Sequence, residues 1–98
     1  MAVRNKQAKA IIISPLAKAD IIEILNYLSQ TWGEKVADEF LEKLNTFYFL
    51  VSINPRLFGF YNKQKNIRKY LQNIIYYGNK IKEIQIITVF DTRQNPAN

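Results

Sequence analysis

The feature of this sequence that most constrains its fold is a long segment of helical periodicity divided by one glycine. From Pro15 to Asn54, apolar side chains recur every three or four residues, and Gly33 interrupts the pattern. Ser14 can cap the first helix, and Pro15 suits its first position because a helix leaves that N–H unused. Asn54 precedes a proline, which favours the end of the second helix. The segment predicts two amphipathic helices that form an antiparallel hairpin.

Each predicted helix has one apolar stripe that needs a covering layer. The residues that form the two stripes are Ala17, Ile21, Leu25 and Leu28 in the first helix, and Val36, Phe40, Leu44, Phe47 and Val51 in the second. Trp32, at the junction of the helices, is expected to fill the core where they turn. The opposite faces carry acidic residues and are expected to be solvated.

Segments rich in β-branched residues flank the helices on both sides. Residues 9–14, "KAIIIS", predict a buried strand. Residues 66–72, 73–79 and 82–91 predict three further strands, with reversals at Gln72-Asn73 and Asn79-Lys80. Residues 56–66, which hold aromatic side chains without a clear period, predict a loop.

These elements predict one α+β domain that spans residues 1–98. Its order is an N-terminal strand, an antiparallel helix hairpin and then an antiparallel three-stranded meander. The helices are expected to pack on one face of a four-stranded sheet, because a single layer cannot bury its apolar side.

The composition narrows the possible chemistry. The chain has neither cysteine nor histidine, so disulfides, thiolate metal sites and the commonest general base are excluded. Acid–base chemistry would have to use Lys, Arg, Tyr, Asp or Glu. We therefore expect no metal site and no cofactor.

No segment indicates a membrane. The N-terminus lacks the apolar stretch of about 7–15 residues that a signal peptide requires. No apolar run approaches the ~20 residues of a membrane span. The sequence predicts a cytoplasmic protein without a membrane partner.

The net charge of +6 is concentrated in the second half of the chain. Residues 1–55 hold six basic and six acidic residues, whereas residues 56–98 hold eight basic and two acidic ones. A one-sided basic region attracts a polyanion or an acidic partner. The same excess could also simply keep a small domain soluble.

The strand at residues 66–72 alternates between two faces, and we expect Arg68 and Tyr70 to point away from the helices. A concave face could then hold Arg68 and Tyr70 with Arg93 at the rim of the sheet. Arginine matches phosphate oxygens, and tyrosine rings stack on unpaired bases. Residues that could complete this face are Tyr76 or Tyr77, Lys63 and Lys65. The alternative is that the tyrosines are ordinary strand residues and that Arg93 pairs with Asp91.

Several segments together carry a resemblance to a known family. They are "SPLAKADIIEILNYLSQTWG" from Ser14, "A-x-x-F-L-x-x-L" from Ala37, "NP" at Asn54, "IRKY" from Ile67, "IIYY" from Ile74 and "VFDTRQNP" from Val89. In order and spacing, between Ile11 and Pro96, they resemble the RelE/ParE family of toxins from bacterial type II toxin–antitoxin modules.

This resemblance implies a small growth-inhibiting toxin that a cognate antitoxin protein neutralises, often through an extended acidic segment. RelE-like members are ribosome-dependent mRNA endonucleases, in which a 2′-hydroxyl attacks the adjacent phosphate. ParE-like members instead poison DNA gyrase through a protein contact and need no nuclease centre. A third possibility is an inactive homologue retained as an antitoxin-binding partner.

For an endoribonuclease, the resemblance implies a metal-independent site with mRNA on the ribosome as the partner. The catalytic candidates are Arg68, Arg93, Tyr76 and Tyr77. The RNA-binding candidates are Lys63, Lys65, Lys69 and Tyr70. Arg93 corresponds to the arginine that follows the last strand of the family, and Arg68 to a basic position on the first strand of the meander.

The match to the nuclease pattern is partial. Asn73 or Ile74 stands where an arginine is expected, Asp91 stands where some members have histidine, and no tyrosine follows Arg93. These departures support the gyrase alternative. The basic excess on the meander nevertheless favours ribosome-dependent mRNA cleavage, which is the first prediction from the sequence. Tyr76, Tyr77 and Lys69 could substitute in a nuclease.

Overall fold

A computed structural model of the chain describes residues 8–70 and 75–94. The elements are β1 (Ala10–Ile13), α1 (Pro15–Thr31), α2 (Glu34–Ile53), β2 (Phe60–Asn62), β3 (Ile67–Tyr70), β4 (Ile75–Asn79), β5 (Glu83–Val89) and a 3-10 helix (Thr92–Gln94). The α+β fold is confirmed, with both helices packed on one sheet. Within the described part of the chain, no helix combines the length and the apolar character that a bilayer crossing requires.

The sheet has five strands in the order β1-β5-β4-β3-β2, which is one strand more than predicted. The additional strand is β2, which lies in the segment predicted as a loop. Phe60 and Asn62 pair with β3 around an irregularity, and the strand has only three residues. Strands β3, β4 and β5 form the predicted antiparallel meander. The predicted reversal at Gln72-Asn73 lies outside the described residues.

The first strand is an edge strand, and its prediction as a buried strand was wrong. β1 runs parallel to β5, with Ile11 opposite Ile84 and Ile13 opposite Ile86. Only alternate residues, Ile11 and Ile13, pack against the core, while Ile12 is exposed. A continuous apolar run therefore does not require burial on both faces here.

The helix boundaries follow from their capping residues. The Ser14 hydroxyl accepts a hydrogen bond from Ala17 N at 3.0 Å and donates to the Ile87 carbonyl at 2.9 Å, so the same cap also attaches α1 to β5. Gly33 has φ 101°, a conformation that glycine adopts without steric cost. This single residue lets α2 begin directly after α1. Trp32 beside it is 53% exposed, so the expectation that it fills the core was wrong.

The core lies between the helix hairpin and one face of the sheet. Ala17, Ile24 and Leu28 contribute from α1, and the buried residues of α2 are Ala37, Phe40, Leu44, Phe47 and Val51. The sheet contributes Ile75, Tyr77, Ile84, Ile86 and Val89. Asp20 of α1 links the two layers, because its carboxylate accepts hydrogen bonds from the Thr88 hydroxyl at 2.5 Å and from Val89 N at 3.1 Å.

Tyr48 offers a test of how the core accommodates a polar atom. Its buried hydroxyl has no hydrogen-bond partner in the described chain, and burial raises its pKa to about 12. We expect Tyr48→Phe to raise the free energy of unfolding by about 1 kcal/mol, because it removes an unsatisfied group. Tyr77→Phe should instead destabilise by about 1 kcal/mol, since the Tyr77 hydroxyl donates to the Pro55 carbonyl. Urea denaturation of both variants measures the contrast, and equal losses would contradict it.

The raised pKa of Tyr48 also predicts a pH dependence. Tyrosine in the unfolded chain ionises near pH 10. Between about pH 10 and 12 the Tyr48 hydroxyl is therefore ionised in the unfolded chain but still protonated in the folded protein. The free energy of unfolding is unaffected by this group below pH 10 and decreases between about pH 10 and 12. Tyr48→Phe should make this alkaline decline shallower in the same denaturation series.

Candidate functional site

The two faces of β3 are reversed relative to the prediction. Arg68 pairs with Tyr77 and Tyr70 pairs with Ile75, and both partners are fully buried. Tyr70 stacks on Phe47 of α2 at a ring-centroid distance of 5.0 Å. Arg68 and Tyr70 thus face the helices, whereas Lys69 points to the opposite side, which we call the open face. This orientation is favoured because the Tyr70 ring packs against both Phe47 and Phe58 in an aromatic cluster.

Arg68 is 9% exposed and held close to protein groups. Its Nη1 donates to the Phe58 carbonyl at 2.8 Å, and its guanidinium carbon lies 3.9 Å from the centroid of the Phe60 ring. Arginine can bury its stem in this way because its long aliphatic part is apolar. The charge that was predicted to be presented on the outer surface instead lies at the inner side of the sheet.

Tyr77 is also withdrawn from solvent. It is fully buried, and its hydroxyl donates to the Pro55 carbonyl at 2.9 Å. Burial raises its pKa, against the opposing effect of the positive charge of Arg68. Tyr77 therefore holds the segment after α2 against the sheet.

Tyr76, by contrast, lies on the open face together with Lys69. These two residues pair across β3 and β4, and the Lys69 ammonium lies 5.5 Å from the centroid of the Tyr76 ring and 5.8 Å from that of Tyr61. The rings of Tyr61 and Tyr76 meet edge to face at 4.8 Å. We call these three residues the tyrosine–lysine cluster.

A shallow groove of about 310 Å³ runs beside this cluster. Its walls are Tyr61, Ile67, Tyr76, Ile87 and Thr88. Ile87 reaches it because the register between β4 and β5 shifts at Tyr76 and Tyr77, which places an extra β5 residue there. The groove combines aromatic and aliphatic walls with one neighbouring cation.

Arg93 is paired with Asp91. Its Nε donates to Asp91 Oδ1 at 3.0 Å, its Nη2 donates to Oδ2 at 2.9 Å, and its backbone N–H donates to Oδ1 at 2.9 Å. The Asp91 side chain is 2% exposed and that of Arg93 is 35% exposed. The hydrogen bonds to Asp91 raise the pKa of Arg93, with a further contribution from the charge of Glu39. The alternative left open by the sequence, a pair between Arg93 and Asp91, is present.

The structure does not bring Arg68 and Arg93 together. Arg68 is in register with Tyr77 and Ile86, whereas Asp91 follows Ile86 by several residues, which corresponds to roughly 15 Å along an extended chain. Arg93 interacts with Glu39 near the start of α2, and Arg68 bonds to Phe58 beyond its end. Arg68 is therefore level with the middle of β5, whereas Arg93 lies beyond the end of that strand.

The remaining predicted RNA contacts lie on the turn between β2 and β3. Lys63 and Lys65 are both exposed, and the Lys65 N–H donates to Asn62 Oδ1 at 3.0 Å. Asn66 closes this turn in a left-handed conformation with φ 58°. Asn73, where the nuclease pattern expects arginine, lies outside the described residues.

A second concave region was missed by the sequence analysis. A cleft of about 470 Å³ is lined by Lys9, Arg56, Arg68 and Lys80, together with Asn66, Asn79, Phe60 and Ile81. We call it the basic cleft. The only sequence signal for it was the basic excess after residue 55, because its cations come from four separate parts of the chain.

Comparisons with known proteins give the fold an independent reference. No protein-family model matches the sequence, and no curated protein is significantly similar to it in sequence. Among solved structures, the chain is similar to a chain of the chromosomal ParDE toxin–antitoxin (TA) system from P. aeruginosa, with a TM-score of 0.70 and 16% sequence identity. The match covers 87% of this chain and 97% of that one. The fold implied by the RelE/ParE resemblance is thus confirmed.

Proposed function

We propose that this chain is the toxin of a type II toxin–antitoxin module and that a cognate antitoxin protein neutralises it. The observation that carries the proposal is the structural likeness to a chain of the P. aeruginosa ParDE TA system over nearly the whole of both chains. The motifs between Ile11 and Pro96 support the same assignment independently of the structure.

We further propose that the toxin acts by a protein contact, with DNA gyrase as the target, as the resemblance implies for ParE-like members. Stabilising the phosphorane of RNA cleavage requires cations directed at one phosphate. Arg93 instead donates two hydrogen bonds to Asp91, and Arg68 lies against the Phe60 ring, level with the middle of β5 rather than beyond its end. The buried hydroxyl of Tyr77 is bonded to a backbone carbonyl and is poorly placed for proton transfer to a substrate.

The tyrosine–lysine cluster supports mRNA cleavage on the ribosome as the second candidate. Two tyrosine rings beside an ammonium group on the open face could stack on a base and contact its phosphate. Lys63 and Lys65 lie on the adjoining turn. This arrangement would use Lys69 and Tyr76 in place of the two arginines.

Controlled expression distinguishes these activities. The chain is placed under a tightly repressed promoter, and growth, gyrase–DNA cleavage complexes and mRNA 5′ ends on translating ribosomes are measured after induction. We expect growth arrest with accumulated gyrase complexes and no new mRNA ends. New mRNA ends that disappear in Lys69→Ala but persist in Lys35→Ala, which changes an exposed lysine of α2, would establish the nuclease instead. Unimpaired growth of a strain that lacks any antitoxin would contradict the toxin assignment.

A further inference from the structure

The basic cleft contains a buried cation without a counter-charge. Arg68 is 9% exposed, and no carboxylate of the described residues lies within ion-pair distance of it. Its stabilising contacts are one hydrogen bond to the Phe58 carbonyl and the face of the Phe60 ring. Its enclosed Nε has no hydrogen-bond partner in the described part of the chain. Burying a charge in this state is costly, and an anion bound in the cleft would offset that cost.

Three further cations line the same cleft as Arg68. The Lys9 ammonium is fixed at the wall by hydrogen bonds to Asn79 Oδ1 at 2.6 Å and to the Lys80 carbonyl at 2.5 Å. Arg56 and Lys80 are exposed at the rim. Among the described residues that line the cleft, none is acidic. Like charges gathered in one concavity create a positive potential that concentrates anions.

We propose that the basic cleft binds a compact polyphosphate, which is a ligand with two or more linked phosphoryl groups, such as inorganic pyrophosphate or the diphosphate group of a free nucleotide. Arg68 would hold one phosphoryl group inside the cleft, and Arg56 and Lys80 would hold the next one at the rim. This site goes beyond the proposed function, because it requires neither the toxin activity nor the antitoxin.

The size and the charge of the cleft favour such a ligand. Its volume of about 470 Å³ lies within the range of small-molecule sites, roughly 300–1,000 Å³. A terminal phosphate group carries about −1.5 to −2 charges near pH 7, whereas a carboxylate carries a single charge. Linked phosphoryl groups therefore bring more negative charge into one concavity than a peptide segment of the same size. The planar guanidinium groups of Arg56 and Arg68 match phosphate oxygens in geometry.

The test measures pyrophosphate binding to the full chain by isothermal titration calorimetry at about 0.15 M salt, where exposed charges more than about 8 Å apart are screened. The double variant Arg56→Ala/Lys80→Ala removes two exposed charges from the cleft. The matched control Lys35→Ala/Lys43→Ala removes two exposed charges from α2. We expect a dissociation constant below about 1 mM, with about tenfold weaker binding for the cleft variant and less than about twofold for the control. Equal losses in the two variants, or no saturable binding by the unmodified chain, would overturn the proposal.

Competing ligands test whether the cleft selects linked phosphoryl groups. Sulfate at the same ionic strength should bind at least about tenfold more weakly than pyrophosphate, since it offers only one charged group. Equal affinities would show unselective attraction of anions and overturn the proposal. Hexauridylate without a terminal phosphate and hexaglutamate are titrated in parallel. Tighter binding of either one than of pyrophosphate, lost in the cleft variant, would assign the cleft to a macromolecule and also overturn the proposal.

ADP distinguishes the two sources of the polyphosphate. Ile81 lines the cleft and is 90% exposed, so its side chain is available to a nucleoside. If the ligand is a nucleotide, ADP binds more tightly than pyrophosphate, and Ile81→Ser weakens the binding of ADP alone. If the ligand is inorganic, pyrophosphate binds at least as tightly as ADP, and Ile81→Ser changes neither affinity.

Arg68→Lys tests the buried arginine directly. The substitution keeps the positive charge but removes the planar fork of donors. If circular dichroism shows this variant folded, we expect about tenfold weaker pyrophosphate binding, and unchanged affinity would contradict the proposal. If it does not fold, the exposed pair Arg56 and Lys80 still decides. None of these titrations requires toxicity, so failure of this proposal is distinguishable from failure of the proposed function.

Discussion

Replacing Phe47 with alanine is expected to lower the free energy of unfolding by about 3–5 kcal/mol, enough to leave much of a small domain unfolded. Phe47 is fully buried on α2 and its ring is the centre of an aromatic cluster. Its ring centroid lies 5.0 Å from that of Tyr70, 5.5 Å from that of Tyr77 and 5.8 Å from that of Phe58. The expected cost is large because the substitution removes, at one position, the contacts of α2 with β3, with β4 and with the segment after α2.

Phe49→Ala provides the matched control for this effect. Phe49 lies on the same helix two residues away, but it is 64% exposed. We expect a change of less than about 0.5 kcal/mol, because little apolar area is lost from the core. Urea denaturation monitored by circular dichroism measures both variants. Similar losses for Phe47→Ala and Phe49→Ala would show that the cluster does not hold the two layers together.

Arg93→Ala is expected to cost about 2 kcal/mol of stability while leaving the proposed toxicity intact in the folded fraction. The substitution removes both guanidinium hydrogen bonds from Asp91, whose side chain is 2% exposed. The expected cost is below that of a fully buried pair because Arg93 itself is partly in solvent. The double variant Asp91→Ala/Arg93→Ala should be more stable than Arg93→Ala alone, since it leaves no buried carboxylate that has lost the two guanidinium hydrogen bonds.

Growth arrest measured beside stability separates the two roles of Arg93. If Arg93 serves the fold, toxicity falls only in proportion to the folded protein, and lower temperature restores it. If Arg93 contacts a scissile phosphate, toxicity is lost even when circular dichroism shows a fully folded protein. The second outcome would contradict the proposed protein-contact mechanism and favour mRNA cleavage.

The helical layer could be predicted from the sequence because its signals are local. A serine cap, a proline in the first turn and a glycine at the junction fix the helix ends within a few residues. Ala17 and Leu28 in α1, like Phe47 in α2, lie at the predicted apolar positions and are buried. The predicted hairpin therefore differs little from the observed one, apart from the exposure of Trp32.

The orientation of β3 could not be predicted, because each of its faces carries one cation and at least one large apolar group. Period-two alternation separates Arg68 and Tyr70 from Ile67 and Lys69, but it does not say which pair meets the helices. That choice depends on Phe47 and Phe58, which come from distant parts of the chain and receive Tyr70 between them. Packing between the helices and the sheet therefore determines that Tyr70 faces the helices.

The basic cleft and the groove on the open face could not be predicted from the sequence, for a similar reason. The basic cleft brings Lys9 of the N-terminal segment beside Lys80 of the β4–β5 turn, and no spacing in the sequence indicates that meeting. The groove on the open face depends on the register shift in β5, which exposes Ile87 beside Tyr76. Such juxtapositions depend on pairing register, which alternation alone does not determine.

The parallel pairing of β1 with β5 has a consequence for how the protein is made. Ser14, at the end of β1, donates to the Ile87 carbonyl across 73 residues of sequence. During synthesis β1 is made before both helices, but the backbone groups of β5 that complete its ladder are added only after 73 further residues. Closing so long a loop is slow compared with forming the helix hairpin. Nascent chains that stall before β5 therefore lack the hydrogen-bonding partner of β1, and the complete sheet forms only after β5 has been synthesised.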